Sequence, residues 1–270
     1  ARTEHYQTRL YGKYPVLQDG VAHLVDNASR FFCEMIRHIT KDRVELERIF
    51  ELQPGTSVTE IRFGLGDTHR RGRAVCMLSF GDVKIVYKPR SLAPEQLFNW
   101  FASWLAAKNA SLHLRTLKVI EREQYGYCES VSFAATKDRV DTSKFYRQMG
   151  ILLAVSYVLG IADLHFENVI AVDGEPVPID IESILLRPLR TRRGRQPFSQ
   201  TYCTAFADLL FHSLLLPHKL STSDGVSDGS AIGSADTPAV IGRPLVFERQ
   251  NDGRTGFVDR IAQGIAENRP

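Results

Sequence analysis

The sequence lacks the features that mark zinc-binding and disulfide-linked proteins. Its 270 residues include four cysteines, none in a Cys-x-x-Cys pair or close to a histidine in the chain: Cys33, Cys76, Cys128 and Cys203. Structural zinc sites need clustered Cys and His ligands, and disulfide frameworks belong to small, cysteine-rich secreted chains. Neither kind of site is expected here, and the spacing indicates reduced thiols in a cytoplasmic protein.

The sequence also lacks a strong charge of one sign and a long apolar run. Its 34 Lys and Arg residues against 31 Asp and Glu residues leave a net charge of +3, which does not indicate a nucleic-acid partner. No apolar run approaches the ~20 residues that a membrane span needs. The N-terminus has neither a starting Met nor the apolar core of a signal peptide, so we expect a piece of a longer protein.

The spacing of the apolar residues predicts a mixture of helices and strands. Apolar side chains at three- and four-residue spacing predict helices over residues 21–51, 91–105 and 142–160. Short apolar runs predict strands at Val58–Phe63, Ala74–Phe80 and Val83–Tyr87, and within Val119–Phe133. We expect Trp100 and Trp104, at helical spacing, to lie in the core.

The C-terminal half contains a strong hairpin signal followed by a change in composition. Asp173-Gly174 separates two apolar runs, which predicts a β-hairpin. Five arginines in residues 187–195, and the Ser, Gly, Asp and Pro residues of 217–243, predict long loops around one helix near Tyr202–Leu216.

This order of elements predicts an α+β fold of two lobes that divide near residue 135. Residues 1–135 would form a helical lead-in and a β-rich lobe, and residues 136–270 would form a second lobe that carries a loop and a hairpin.

One set of polar residues has the spacing of a phosphoryl-transfer site. Protein kinases place an Asp and an Asn as Asp-x-x-x-x-Asn after a long helix, and a hairpin separates that Asn from a metal-binding Asp. Asp163 and Asn168 have this spacing, and Asp180 lies at the far end of the predicted hairpin. Upstream, Lys88 ends an alternating strand, as the strand lysine of a kinase does. The set predicts Mg-ATP chemistry, although each residue alone is also compatible with an ordinary loop or strand end.

The glycine-rich segment between the first two predicted strands fits a phosphate-binding loop poorly. Gly66-Asp-Thr-His-Arg-Arg-Gly72 matches no standard fingerprint, and a carboxylate at Asp67 would repel phosphate. Asp67 and His69 therefore either have a chemical role other than holding ATP, or cap a turn.

At these residues the sequence resembles the dehydratase domain of class II lanthipeptide synthetases, the LanM type. The resembling segments occur in the family's order: Tyr14-Pro-Val-Leu17, Gly66-Asp-Thr-His69, Tyr87-Lys-Pro-Arg-Ser-Leu92, Tyr125-Gly-Tyr127, Asp163-Leu-His-Phe-Glu-Asn168 and Pro178-Ile-Asp-Ile-Glu182. The resemblance implies a lipid-kinase-like fold with additional helices. It also implies phosphorylation of Ser and Thr in a leader-bearing precursor peptide, followed by phosphate elimination to dehydroamino acids.

The resemblance implies a role for each residue that matches a family motif. Lys88 and Arg90 would bind the ATP phosphates, and Asp163 with His165 would serve the incoming hydroxyl. The residues implied to hold magnesium are Asn168 and Asp180, with Glu182 close by. Asp67 and His69 would act in elimination, where a histidine can transfer protons near neutral pH.

Two further parts of the family lie outside this sequence. One is a later Arg-x-x-x-Arg-x-Thr-like stretch that supplies elimination residues, and the other is a zinc-binding cyclase domain. We therefore expect a complete kinase half and an incomplete elimination half, with the cyclase domain as a partner in the full-length protein.

Two other functions share part of the pattern. A small-molecule kinase of the aminoglycoside-phosphotransferase sort would use Asp163, Asn168 and Asp180, but it does not explain the segments around Asp67 and Lys88. A truncated domain could bind leader peptide without turnover. Independently of this choice, the arginines of residues 187–195 are either a solvated loop or a dock for an acidic leader peptide or for phosphate. Residues 221–235 are either an activation-loop analogue or a disordered connection.

Overall fold

A computed structural model describes residues 2–65, 68, 72–132, 139–186, 210–216, 219–222, 225–228 and 230–231. Within these residues the helices are α1 (Arg2–Lys13), α2 (Pro15–Ile49), α3 (Ala93–Lys108) and α4 (Arg139–Leu159). The strands are β1 (Glu60–Arg62), β2 (Cys76–Phe80), β3 (Val83–Lys88), β4 (Val119–Glu121), β5 (Gly126–Glu129), β6 (Val169–Val172), β7 (Glu175–Pro178), β8 (Lys219–Thr222) and β9 (Gly225–Asp228). The chain is thus a mixed α+β protein. None of the helices so described has the length and apolar character needed to cross a membrane.

The described residues pack into two compact units. The first lies within residues 1–92 and 118–130, and the second within residues 93–117 and 131–270. Helix α3 belongs to the second unit, whereas the predicted boundary near residue 135 puts it in the first lobe. The physical reason is that Phe98 and Ala102 of α3 are buried in the same hydrophobic core as α4.

The first unit combines α2 with a five-stranded antiparallel sheet of order β1-β2-β3-β5-β4. The predicted helix over residues 21–51 is confirmed, but α2 begins earlier, with Pro15 in its first turn, where the missing N–H of proline is not needed. The predicted strands are confirmed: β1 and β2 are shorter than predicted, and β3 extends one residue further, to Lys88. Gly81 takes a positive φ of 62° in the predicted turn between β2 and β3. The core of this unit includes Met35, Leu46, Leu78, Ile85 and Tyr127.

The second unit is built around α4 and the hairpin of β6 and β7. Its core includes Phe98, Phe145, Met149, Leu152 and Val169. The predicted C-terminal end of α4 is confirmed, and Gly160, which follows it, has φ +57°. The predicted hairpin is confirmed as well: Asp173-Gly174 connects two strands whose residue pairs run from Val169–Pro178 to Val172–Glu175.

The prediction that Trp100 and Trp104 lie in the core is wrong. The exposed fractions of these side chains are 63% and 45%. The buried face of α3 is centred on Phe98 and Ala102. Because successive residues of a helix are about 100° apart, Trp100 is rotated roughly 200° from Phe98 and faces away from it.

The prediction of loops throughout residues 217–243 is also wrong in part. Strands β8 and β9 form an antiparallel hairpin in which Leu220 is opposite Ser227 and Ser221 is opposite Val226. The polar sequence has little strand signal, and the backbone pairing stabilises the hairpin. The predicted helix at Tyr202–Leu216 lies largely outside the described residues, which show helical backbone at residues 210–212.

Candidate functional site

Lys88 occupies the end of the middle strand of the first unit's sheet. It is the last residue of β3, lies opposite Gly126 of β5, and its exposed fraction is 4%. Gly126 has no room for a side chain, since a Cβ there would lie 2.6 Å from Leu92 Cδ1 and 2.7 Å from the backbone oxygen of Ile120. The predicted Tyr-Gly-Tyr segment therefore supplies the small residue that this strand end requires.

Arg90 follows Lys88 in the same unit. Its Nη1 donates a hydrogen bond of 2.9 Å to the backbone oxygen of Ser91. The Ser91 hydroxyl in turn donates to Glu121 Oε1 at 2.8 Å, which links the segment after β3 to the end of β4. These two hydrogen bonds thus fix the segment that follows Lys88 and contains Arg90.

In the second unit, Asp163 lies in a short loop, residues 161–168, which we call the Asp163 loop. The backbone of Asp163 has φ +65°, a left-handed conformation that is uncommon for residues other than glycine, asparagine and aspartate. Its side chain is 53% exposed, so the carboxylate is accessible to a substrate. The neighbouring Leu164 is fully buried and anchors the loop in the core.

His165 is oriented within the same loop. The backbone N–H of Glu167 donates to His165 Nδ1 at 3.2 Å, so the neutral imidazole carries its proton on Nε2. This Nε2 lies 3.9 Å from Asp163 Oδ1, which is beyond hydrogen-bond distance. The imidazole therefore lies beside the Asp163 carboxylate.

Asn168 connects the Asp163 loop to the hairpin that precedes Asp180. Its Nδ2 donates to the backbone oxygen of Asp163 at 2.8 Å, and its own backbone oxygen accepts from Ile179 N at 2.8 Å. Asp180 is the next residue, and Glu182 follows on the other side of the buried Ile181. The structure thus brings together five predicted residues within one unit: Asp163, His165, Asn168, Asp180 and Glu182.

The donor types near the hairpin suit a magnesium ion. Among the described residues, no three side chains of His, Cys, Asp or Glu cluster as a complete protein cage for a metal. Magnesium does not require such a cage, because it binds through one or two carboxylates together with water and substrate phosphates. The amide oxygen of Asn168 and the carboxylate of Asp180 are hard oxygen ligands of this kind, and the set fits that ion.

Other predicted functional residues lie outside the described residues. These are Asp67, His69 and the arginines of residues 187–195. Their proposed parts in elimination and in leader binding stay predictions.

Sequence reasoning missed a turn that contacts the Asp163 loop. Asp163 N donates to the backbone oxygen of His212 at 3.0 Å, and Leu164 N donates to that of Ser213 at 2.8 Å. His165 also forms an isolated antiparallel bridge with Ser230. These partners are 49 to 65 residues away in the chain, and no local pattern connects them to the loop.

A polar network between α2 and the first unit's sheet was missed as well. Asp42 is 4% exposed and accepts hydrogen bonds from Tyr125 Oη at 2.8 Å and from Arg122 Nη2 at 2.9 Å. Burial and the Asp42 carboxylate raise the pKa of Tyr125 to about 12. A sequence signal was present, because Asp42 continues the apolar positions Met35, Ile39 and Leu46 at helical spacing.

Comparison with known proteins gives two matches. The profile of a domain of unknown function, DUF4135, matches residues 14–270. The lacticin 481/lactococcin biosynthesis protein LcnDR2 of Lactococcus lactis subsp. lactis is 27% identical over 187 residues, which cover 66% of this chain and 20% of that protein. The match therefore spans about a fifth of the relative's length. Together these matches confirm the resemblance to LanM-type synthetases that the motifs indicate, and the chain belongs to the DUF4135 family.

Proposed function

We propose that this chain uses Mg-ATP to phosphorylate Ser and Thr side chains of a ribosomal precursor peptide, as the first half of dehydration. The observation that supports the proposal is the arrangement around Asn168. Its side chain bonds to the backbone of Asp163, and its backbone bonds to the residue before Asp180. Two carboxylates with different proposed roles are thereby held in one unit: Asp163 for the hydroxyl and Asp180 for the metal. The similarity to a lacticin 481 biosynthesis protein supports a precursor peptide as the substrate.

In the proposed reaction, the side-chain oxygen of the peptide attacks the γ-phosphorus of ATP. The bond from that phosphorus to the β,γ-bridging oxygen breaks, and ADP leaves with the bond's electron pair. The hydroxyl proton passes to the carboxylate of Asp163, which the loop leaves exposed. A positioned carboxylate of this kind contributes in the range of 10²–10⁴-fold to rate. Lys88 and Arg90 would bind the phosphates of ATP.

Asn168 and Asp180, with Glu182 beside them, would hold magnesium in the proposed site. The ion, when bound, neutralises charge on the phosphates. The Asn168 side chain also bonds to the backbone of Asp163, so one residue orients the loop and supplies a metal ligand.

Elimination is the second proposed step, assigned by resemblance to Asp67 and His69. A base removes the α-proton of the phosphorylated residue, and the electron pair of that C–H bond forms the carbon–carbon double bond. The Cβ–O bond breaks, and inorganic phosphate departs. The two steps together remove one water from the peptide and convert ATP to ADP and phosphate.

Mass spectrometry of a cognate precursor peptide tests the proposal. The peptide is incubated with the chain, ATP and magnesium. We expect a gain of ~80 Da for each phosphorylated side chain, the mass of one phosphoryl group. A loss of ~18 Da would show that elimination also occurs in this chain. We expect Asp163→Asn to lower the phosphorylation rate by at least about 10²-fold.

Asp173→Asn is the matched control for that variant. Both aspartates have positive φ, 65° at Asp163 and 50° at Asp173, and asparagine tolerates that conformation equally well. The control lies at the turn of the hairpin and should retain full activity. Phosphorylation of kanamycin in place of the peptide would favour a small-molecule kinase, and no transfer to either substrate would contradict the proposed function.

A further inference from the structure

Asp163 adopts a left-handed backbone conformation, with φ +65°. A residue other than glycine persists in the left-handed region when its surroundings determine its conformation. Three backbone hydrogen bonds hold this part of the chain: Ala162 N to Ser183 O at 2.9 Å, Asp163 N to His212 O at 3.0 Å, and Leu164 N to Ser213 O at 2.8 Å. Two of the three acceptors belong to a single turn.

That turn, residues 210–215, is itself held by the hydroxyl of Ser213. Its Oγ donates to the backbone oxygen of Leu210 at 2.5 Å and accepts from Leu215 N at 3.3 Å. The next residue, Leu214, also has a positive φ, of 54°. The Ser213 side chain therefore connects both flanks of the turn and fixes the direction of the carbonyl groups that Asp163 and Leu164 use.

The turn is anchored in the interior of the second unit. The exposed fractions of Ser213 and Leu215 are each 1%, and Ala231 N donates to the backbone oxygen of Leu214 at 2.9 Å. If this buried hydroxyl is removed, the Leu210 carbonyl and the Leu215 N–H lose a hydrogen bond that water cannot easily replace. Removal of this hydroxyl should thus alter the turn rather than be absorbed by solvent.

We propose that Ser213 is a positioning residue for the Asp163 loop, and that its hydroxyl holds Asp163 in the conformation that phosphoryl transfer needs. This inference rests on the proposed function. Ser213 does not touch the reacting atoms in this proposal. It acts through two backbone hydrogen bonds, and its loss should change the rate of transfer more than the binding of ATP.

Hydrogen exchange and steady-state kinetics of Ser213→Ala test the inference. We expect exchange of the Asp163 and Leu164 amides to rise about tenfold, since both bond to the turn. We expect kcat for phosphoryl transfer to fall about tenfold while KM for ATP changes less than twofold. Ser213→Thr keeps the hydroxyl and should restore most of the protection and of kcat.

Ser156→Ala is the matched control. Ser156 is also 1% exposed and in the second unit, and its Oγ donates to Leu152 O at 2.8 Å within α4. It should lose one buried hydrogen bond without a change in exchange at Asp163 and Leu164. Equal exchange and kcat in Ser213→Ala and the wild type, or equal effects of Ser156→Ala, would overturn the inference. A wild-type chain without transfer activity would instead overturn the proposed function, while the exchange result still decides whether Ser213 holds the loop.

Discussion

His38 packs tightly against two tyrosines in the first unit. Its ring is stacked on Tyr125 with centroids 3.5 Å apart and an interplanar angle of 4°, and its Nδ1 lies 3.0 Å from Tyr87 Oη. Burial lowers the pKa of His38 below its usual 6.5, although Glu34 and Asp42 partly oppose this effect. The folded chain thus favours the neutral imidazole.

The lowered pKa of His38 predicts a loss of stability in mild acid. The unfolded chain binds a proton near pH 6.5, while the folded chain binds it at a lower pH, so the free energy of unfolding rises with pH across this window. The contribution of His38 is complete above pH 6.5 and is lost as the pH falls toward its folded-state value. Urea unfolding at pH 7.5 and pH 5.5 measures the change.

His38→Gln is the control, because glutamine does not titrate between these two pH values. We expect its stability to fall less than that of the wild type when the pH is lowered. An identical pH dependence of the two proteins would show that other groups, such as the remaining histidines, determine the change.

Gly160 ends α4 and leads into the Asp163 loop. It has φ +57°, and a Cβ at this position would lie 2.7 Å from the backbone oxygen of Leu186 and 3.1 Å from its nitrogen. Both obstacles are backbone atoms, which cannot rotate away. The Leu186 N–H also donates to the Gly160 oxygen at 3.1 Å, so a shift there would break the contact that holds the two segments together.

We therefore expect Gly160→Ala to lower the free energy of unfolding by about 2 kcal/mol or more, since left-handed backbone costs ~1–2 kcal/mol before any clash. Gly81→Ala is the comparison, because Gly81 has φ +62° but no atom within 4 Å of its Cβ position. The loss of unfolding free energy in Gly81→Ala should come from the left-handed backbone alone. Equal losses in urea unfolding would mean that the contact with Leu186 relaxes without cost.

In α3 the apolar pattern predicts the helix correctly but predicts its buried face wrongly. The apolar residues near Trp100 correctly indicate a helix. They misassign its buried face, because Ala102 is small and gives little signal while the two tryptophans give a strong one. Which face of α3 is buried is set by the packing of Phe98 and Ala102 in the second core.

Ligand binding to the folded chain as a whole should raise its thermal stability if the proposed function is correct. A ligand at a hundredfold excess over its Kd stabilises by about 2.7 kcal/mol, which corresponds to several degrees in Tm for a chain of this size. The probe is a non-hydrolysable ATP analogue with magnesium. We expect a clear rise in Tm for the wild type and little for Asp180→Asn.

Asp173→Asn again provides the control, because it makes the same chemical change at the turn of the hairpin that precedes Asp180. It should retain the full rise in Tm. A full rise in Asp180→Asn would contradict the proposed metal role of Asp180. No rise in the wild type would favour a domain that binds leader peptide without ATP.

Local chemistry is sufficient to predict many elements and several candidate residues. The hairpin at Asp173-Gly174 follows from turn chemistry, and the end of α4 follows from the tolerance of Gly160 for positive φ. The spacing from Asp163 to Asn168 also follows from the sequence, and a hydrogen bond joins these two residues in the structure. In each case the interacting groups lie within a few residues of one another.

The tertiary structure alone shows the contacts between distant segments. The backbone oxygens of His212 and Ser213 accept from the Asp163 loop, and β8 pairs with β9 in a sequence with little strand preference. Asp42 is buried on the face of α2 that meets Tyr125 and Arg122. Backbone hydrogen bonds and burial across many residues depend on which surfaces meet after folding, and the order of side chains along a segment does not specify that choice.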